Sequence, residues 1–179
     1  EVRQESGITA LMFAARYAGA NFEAVLRLLT GAGANVDKQN GRGCTALMVA
    51  VKYADEHAEA MIRALVDAGA DVNHQNEDGS TALLRASKHG GAHAEAMMRT
   101  LIDAGADVDA QGKVRQEGGI TALMFAARYA GAHFEAVLRL LTGAGAHVDK
   151  QTGRGCTALL GAVQHADEPA AALLRAQRA

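Results

Sequence analysis

The tripeptide Thr-Ala-Leu recurs along the chain at a nearly constant spacing, and this repeat constrains the fold more than any other feature. Behind each of the first four copies lie an Ala-rich stretch, a second apolar stretch, a Gly-Ala pair and a polar segment. A period of this length is typical of repeat architectures, in which one structural unit is stacked several times. Successive copies are 36, 36, 40 and 36 residues apart, and they begin at Thr9, Thr45, Thr81, Thr121 and Thr157.

Each part of the repeat predicts a local structure. Thr9 is suited to begin a helix, because its hydroxyl can accept a hydrogen bond from a free amide of the first turn. Leu11, Ala14 and Ala15 have the spacing that places side chains on one helix face. Gly33 and its equivalents can adopt the left-handed backbone conformation that ends a helix. The sequence therefore predicts two helices and a polar turn in every unit.

The units must stack, because two short helices cannot bury their apolar faces alone. We therefore predict an all-α solenoid of helix-turn-helix repeats. The predicted parts are a finger remnant at 1–6, repeats at 7–42, 43–78, 79–118 and 119–154, and a C-terminal capping repeat at 155–179.

This unit resembles the ankyrin repeat. The segments 67–73 (Asp-Ala-Gly-Ala-Asp-Val-Asn) and 103–109 are very similar to the family's Gly-Ala stop and its surroundings. The resemblance covers essentially the whole chain and implies an ankyrin-type solenoid with β-hairpin-like fingers. It also implies a protein-protein interaction module, which binds partners through its concave helix face and its finger tips.

The sequence departs from the family's pattern in three respects. The family's Thr-Pro-Leu-His opening has Ala in place of Pro and Met or Leu in place of His, as at Ala10 and Met12. The hydrogen bond of that His to a neighbouring loop is therefore missing, and we expect packing to hold the loops instead. The unit is also about three residues longer than the usual 33. The additional residues predict a lengthened helix pair or turn near 18–21, 54–57 and 90–93.

Charge and composition exclude several partners. The 18 Lys and Arg nearly balance the 20 Asp and Glu, so we expect neither nucleic acid nor a membrane as a partner. No apolar run approaches the roughly 20 residues of a membrane span, and the first residues have no signal-peptide character. The missing initiator Met predicts a fragment or a processed product. Cys44 and Cys156 are too few for a disulfide framework, which leaves a cytoplasmic location as the default expectation.

Catalytic and metal-binding motifs are missing from the sequence. Neither the Gly-rich phosphate loop with its Lys nor the Gly-x-Ser-x-Gly elbow occurs. His89 and His93 have the spacing of a zinc pair on a continuous helix, but Gly90 and Gly91 between them predict that the helix ends there. We therefore predict no enzyme activity, no metal site and no cofactor.

Candidate partner-binding residues lie at the end of the first helix of each repeat. Most of these ends pair a cation with an aromatic or imidazole ring. Stacked at a fixed spacing, they would form a basic ladder suited to an acidic peptide or protein surface, since Arg and Tyr are favoured at binding hot spots. The alternative is a solvated helix face whose repetition reflects duplication. The pairs are Arg16 and Tyr17, Lys52 and Tyr53, Lys88 and His89, Arg128 and Tyr129, and Gln164 and His165.

Basic residues at the finger tips are further candidates. Arg42, Arg115 and Arg154 occupy these tips among neighbours of mixed charge. The mixture implies no particular ligand, and a solvated turn is the simpler interpretation of any single tip. An insertion at 112–116 makes the finger between the third and fourth repeats the most distinctive.

A longer period overlies the short one. Residues 1–47 match residues 113–159 at all but five positions, which indicates a recent duplication of three repeats or a deliberate design. By this match the chain begins within a finger, and nothing caps the first helix pair. Such an end is either truncated or receives the end of another subunit. A subunit that stacks head-to-tail into a filament or ring, and an engineered repeat scaffold, are therefore the alternatives to a binding module.

Overall fold

Helices make up most of the described chain. The computed structural model describes residues 7–53, 55–88, 93–114, 117–129, 134–164, 171–172 and 175–176, without the side chains of 114, 117, 129 and 134. Within these ranges, none of the helices combines the length and apolarity that a membrane crossing requires. The helices are α1 (Ala10–Tyr17), α2 (Phe22–Gly31), α3 (Ala46–Lys52), α4 (Ala58–Asp67), α5 (Ala82–Lys88), α6 (Ala94–Asp103), α7 (Ala122–Tyr129), α8 (Phe134–Gly143) and α9 (Ala158–Gln164).

The helices form two stacked layers. The first helices of successive repeats pack side by side, α1 on α3, α3 on α5, α5 on α7 and α7 on α9. The second helices α2, α4, α6 and α8 pack on one another in the same order. Within a repeat the two helices also pack together, as α1 does on α2. This is the predicted helix-turn-helix solenoid, in which stability arises within repeats and between nearest neighbours.

The core is one continuous cluster along the solenoid. The Leu of the Thr-Ala-Leu motif contributes to it in four repeats, and Leu11, Leu47, Leu83 and Leu123 are each 1% exposed. Burial of each such side chain contributes about 1.5–3 kcal/mol. Small residues such as Ala50, which is fully buried, let the helices approach closely.

The helix starts agree with the capping prediction in four repeats out of five. The hydroxyls of Thr9, Thr81, Thr121 and Thr157 accept hydrogen bonds from the backbone amide three residues later, at 3.2, 3.2, 3.4 and 3.3 Å. Thr45 is the exception, because its buried hydroxyl has no hydrogen-bond partner. The helix that Thr45 precedes therefore begins without a side-chain cap.

The second helices end at glycine, as predicted. Gly33, Gly69, Gly105 and Gly145 have φ angles of 86°, 87°, 87° and 90°. The next residue donates its amide back to a carbonyl of the last turn, as Ala34 does to Leu29 at 2.9 Å. This is the Schellman arrangement, which satisfies carbonyls that the helix leaves free.

The turn between the two helices is described in full in the first repeat, whereas residue 54 of the second turn, residues 89–92 of the third and residues 130–133 of the fourth lie outside the described residues. In the first repeat this turn contains a 3-10 segment, Gly19–Asn21. The insertion in the third finger has a different effect, since it forms two antiparallel strands, β1 (Gly112–Val114) and β2 (Glu117–Ile120), with an irregularity after Gly112. Strand pairing is confined to this finger among the described residues.

The other fingers are tight turns built around a buried polar side chain. The side-chain oxygen of Asn40 accepts hydrogen bonds from the amides of Arg42 and Cys44, at 2.9 and 3.0 Å. Asn76 makes the same contacts one repeat later, with the amides of Asp78 and Ser80. Asn can serve in this way because its short side chain reaches its own backbone.

Hydrogen bonds between backbones join neighbouring fingers. The amide of Glu77 donates to the carbonyl of Arg42 at 3.3 Å, and that of Lys113 donates to Asp78 at 2.8 Å. The amide of Gly153 donates to Gly118 at 2.8 Å. In addition to the packing that we expect in place of the family's His bond, main-chain groups, which the sequence does not distinguish, therefore link the loops.

Candidate partner-binding surface

A row of cations runs across the stacked first helices. Arg16, Lys52, Lys88 and Arg128 are exposed at the C-terminal ends of α1, α3, α5 and α7. These helices lie side by side, so the four side chains occupy equivalent places in consecutive repeats. We call them the basic row. Gln164 continues it on α9 as an exposed, uncharged residue.

Aromatic rings connect the first two members of the basic row. The Arg16 guanidinium lies 5.0 Å from the ring centroid of Tyr17 and 4.3 Å from that of Tyr53. The Lys52 ammonium lies 4.9 Å from the Tyr53 ring. These distances are within the range of cation-π attraction, which contributes about 0.5–1 kcal/mol at exposed sites. Arg16 therefore bridges the first and second repeats, and the rings hold both cations in place.

The structure describes only part of the predicted ladder. Lys88 and Arg128 occupy the row as predicted. His89 and His165 lie outside the described residues, and so does the side chain of Tyr129. Contacts between cations and rings are therefore described for Arg16 and Lys52 of the basic row.

Two of the three predicted finger-tip residues are described. Arg42 and Arg154 are exposed on the tips of the first and fourth fingers. Arg115 lies outside the described residues. A backbone hydrogen bond joins the finger of Arg42 to the next finger, and another joins the finger of Arg154 to the previous finger.

Arginines of the second helices have different surroundings. Each donates to a Glu one turn earlier on its own helix, with Arg27 to Glu23 at 2.5 Å and Arg139 to Glu135 at 2.6 Å. Arg63 and Arg99 make the same contact at 2.8 and 2.9 Å. Glu and Arg at this spacing compensate one another on the helix surface. Each second helix therefore carries a Glu–Arg pair, whereas the four residues of the basic row are all cations.

A half-buried cation that the sequence did not mark lies beside a cysteine. The Arg85 guanidinium donates to the sulfur of Cys44 at 3.1 Å, and Cys44 is 6% exposed. Arg85 occupies the position that Phe13 and Phe125 occupy in other repeats. Because Cys44 lies 41 residues earlier in the sequence, the contact forms only when the repeats are stacked. Cys44 and Cys156 are both free thiols.

An apolar groove opens on the outer side of the first repeat. Phe13 and Tyr17 are each 60% exposed there, and Leu28 of α2, which does not line the groove, is 74% exposed. The two rings contact one another, with centroids 4.6 Å apart. The groove, which we call the N-terminal groove, has a volume of about 440 Å³ and is lined by Ala10, Phe13, Ala14, Tyr17, Ala18, Val25 and Leu29.

Metal ligands do not gather in the described part of the chain. Across residues 7–53, 55–88 and the other described ranges, there is no group of three or more His, Cys, Asp or Glu side chains that could hold a metal ion. His93, one member of the pair considered above, ends the turn before α6.

The stacked helix pairs define the chain as a helical-repeat solenoid. A family model described as ankyrin repeats, in three copies, matches residues 11–112, which is more than half of the chain. The chain therefore belongs to the ankyrin repeat family, whose members generally serve as protein-protein interaction modules. The family is typically non-enzymatic. No curated protein matches the chain in sequence.

Proposed function

We propose that this ankyrin repeat domain binds an acidic segment of another protein along its basic row. The observation that carries the proposal is the stack of Arg16 and Lys52 on the rings of Tyr17 and Tyr53. Such a stack restrains long side chains before a ligand arrives, which lowers the entropy lost on binding. Lys88 and Arg128 extend the same charge over two further repeats.

The spacing of the row favours a ligand with regularly spaced carboxylates. Neighbouring helices pack about 8–10 Å apart, and an extended peptide advances about 3.3 Å per residue. A carboxylate at every third residue of an extended segment would therefore meet successive cations. Arg42 and Arg154 are exposed at the finger tips. Together with Arg115, which the sequence predicts at another tip, they are further candidates for contact with the same partner.

The test removes charge from two matched sets of residues. One variant replaces the basic row by Gln (Arg16→Gln, Lys52→Gln, Lys88→Gln, Arg128→Gln). The control variant replaces the second-helix arginines by Gln (Arg27→Gln, Arg63→Gln, Arg99→Gln, Arg139→Gln). Both variants lose four positive charges, so a difference between them reports position and not net charge.

Binding of a labelled peptide with Glu at every third residue is measured by fluorescence anisotropy. We expect the basic-row variant to bind at least about tenfold more weakly, which corresponds to about 1.4 kcal/mol. The control should bind like the unmodified chain. Higher salt should weaken binding, since the Debye length falls from about 10 Å at 0.1 M to about 3 Å at 1 M. Equal losses in both variants would contradict the proposal.

We also propose, as a second function, that the chain associates with itself through the N-terminal groove. The specific observation is the exposure of Phe13 and Tyr17, which line this groove and contact one another. Contiguous apolar surface of this kind is uncommon on monomers and marks interaction sites. Light scattering over a wide concentration range should show a mass that rises above 18.6 kDa. A mass that stays at this value at every concentration would exclude this second function.

A further inference from the structure

Each first helix carries one stripe that faces the preceding repeat. Phe13 and Phe125 occupy the same position of α1 and α7, yet they are 60% and 5% exposed. The difference arises because α7 packs against α5, whereas in the described residues α1 has no first helix before it. The Phe position, with Ala10 and Ala122 three residues earlier, therefore faces backward along the solenoid.

A second stripe faces the following repeat. Leu84 and Ser87 of α5 are 1% and 2% exposed, and α7 lies next to them. The same positions of α9 hold Leu160 and Val163, which are 41% and 46% exposed. We call Leu160 and Val163 the α9 stripe.

The sequences of the two exposed stripes match an internal junction of the chain. Helix α1 has the same eight residues as α7. Helix α9 (Ala-Leu-Leu-Gly-Ala-Val-Gln) shares four of its seven residues with α5 (Ala-Leu-Leu-Arg-Ala-Ser-Lys). The packing of α5 on α7 is thus an observed example of the contact that α9 and α1 could make.

We infer that the α9 stripe of one copy docks into the N-terminal groove of a second copy. This inference rests on the proposed self-association and specifies its partner surface. At the position that Ser87 occupies in the internal junction, α9 has Val163. In the inferred contact, Val163 adds apolar area against Phe13 and Tyr17 of the groove. Gln164 is uncharged, so it brings no cation toward the Arg16 of the second copy. The contact joins unlike surfaces, and it therefore extends the solenoid from copy to copy instead of closing a two-fold dimer.

The test uses two variants that each destroy one surface. Phe13→Glu places a charge in the groove and leaves the α9 stripe intact. Leu160→Glu with Val163→Glu places charges on the α9 stripe and leaves the groove intact. Each variant alone should stay at 18.6 kDa by light scattering, and an equimolar mixture should form a complex of twice that mass. The mixture can form only one junction, so it should grow no further.

The possible outcomes distinguish a failure of this inference from a failure of the proposed self-association. If the unmodified chain stays monomeric at every concentration, both the self-association and the inference fail. If the unmodified chain assembles and the α9-stripe variant still assembles equally well, self-association stands and the inference is overturned, because grooves then pair with grooves.

Two controls keep the result interpretable. Ala24→Glu adds the same charge at an exposed position of α2 that does not line the groove, and it should assemble like the unmodified chain. Leu160→Ala with Val163→Ala is milder and keeps α9 helical, as circular dichroism can verify. It should raise the dissociation constant at least about tenfold, and an unchanged constant would also overturn the inference.

Discussion

Helices α1 and α7 have the same eight residues, Ala-Leu-Met-Phe-Ala-Ala-Arg-Tyr, in different surroundings. Leu11 and Leu123 are both 1% exposed and belong to the continuous core. Phe13 and Phe125 differ, with 60% and 5% exposure. Identical sequence therefore yields the same burial where both copies have the same neighbours. Where the contacts come from the preceding repeat, the neighbour decides.

The largest expected difference lies at the Phe position. Phe125→Ala should lower the free energy of unfolding by about 3–5 kcal/mol, since it empties a packed site between repeats. Phe13→Ala should change it by less than about 1 kcal/mol, because most of that side chain is in water. Urea unfolding at a concentration low enough to keep the chain monomeric measures both. Similar losses for the two variants would show that Phe13 is buried in the monomer.

Substitution of the helix-ending glycines should have the same effect on stability in the first and fourth repeats. Gly33→Ala and Gly145→Ala each force a side chain into the left-handed region, which costs about 1–2 kcal/mol. An added Cβ would meet no atom within 4 Å at either position, so neighbours should not modify the cost. The same urea experiment compares them. Unequal costs would indicate that the preceding repeat also shapes the Schellman turn.

The capping threonines provide a smaller comparison of equivalent residues in different repeats. Thr9→Val and Thr121→Val should each destabilise by about 1 kcal/mol, because each removes an N-cap hydrogen bond. Thr45→Val should be neutral or stabilising, since the Thr45 hydroxyl is buried without a partner and loses no bond. Thermal or urea unfolding distinguishes the two behaviours. A loss at Thr45 equal to that at Thr9 would reveal a hydrogen bond there.

The smallest effects are expected for the exposed ion pairs. Glu23→Gln and Glu135→Gln remove equivalent contacts to Arg27 and Arg139. Each should lower stability by about 0.2–0.5 kcal/mol, and the loss should shrink as salt increases. Precise urea curves at two salt concentrations can resolve this change. A salt-independent loss would mean that the Glu side chains also contribute by packing.

Much of the fold could be predicted because its signals are local. The start at Thr9 and the stop at Gly33 depend on hydrogen bonds to residues within five positions, and the spacing of Leu11 from Ala14 defines the buried face. The position of Arg16 and Lys52 at helix ends follows from the same period. Their predicted function as a binding ladder stays a prediction.

Other features depend on residues that are distant in sequence. The stack of Arg16 on Tyr53 requires the distance between two neighbouring helices. The bond between Arg85 and Cys44 crosses from one repeat to a finger of another. The repeat period places Arg16 and Tyr53 at equivalent helix ends but does not give the distance between them, and it does not mark the Arg85–Cys44 contact, because the spacing between stacked repeats is a property of packing.

By itself, the sequence determined the repeat unit, the ends of most helices and the choice of which Leu and Ala side chains enter the core. The physical reason is that caps, turns and helix faces follow from residues within one or two turns of each other. Only the tertiary structure decided that Phe125 is covered while Phe13 is exposed, that backbone bonds join the fingers, and that Thr45 lacks a cap partner. The first two depend on which repeat lies next to the residue, because contacts with a neighbouring repeat are long-range in sequence.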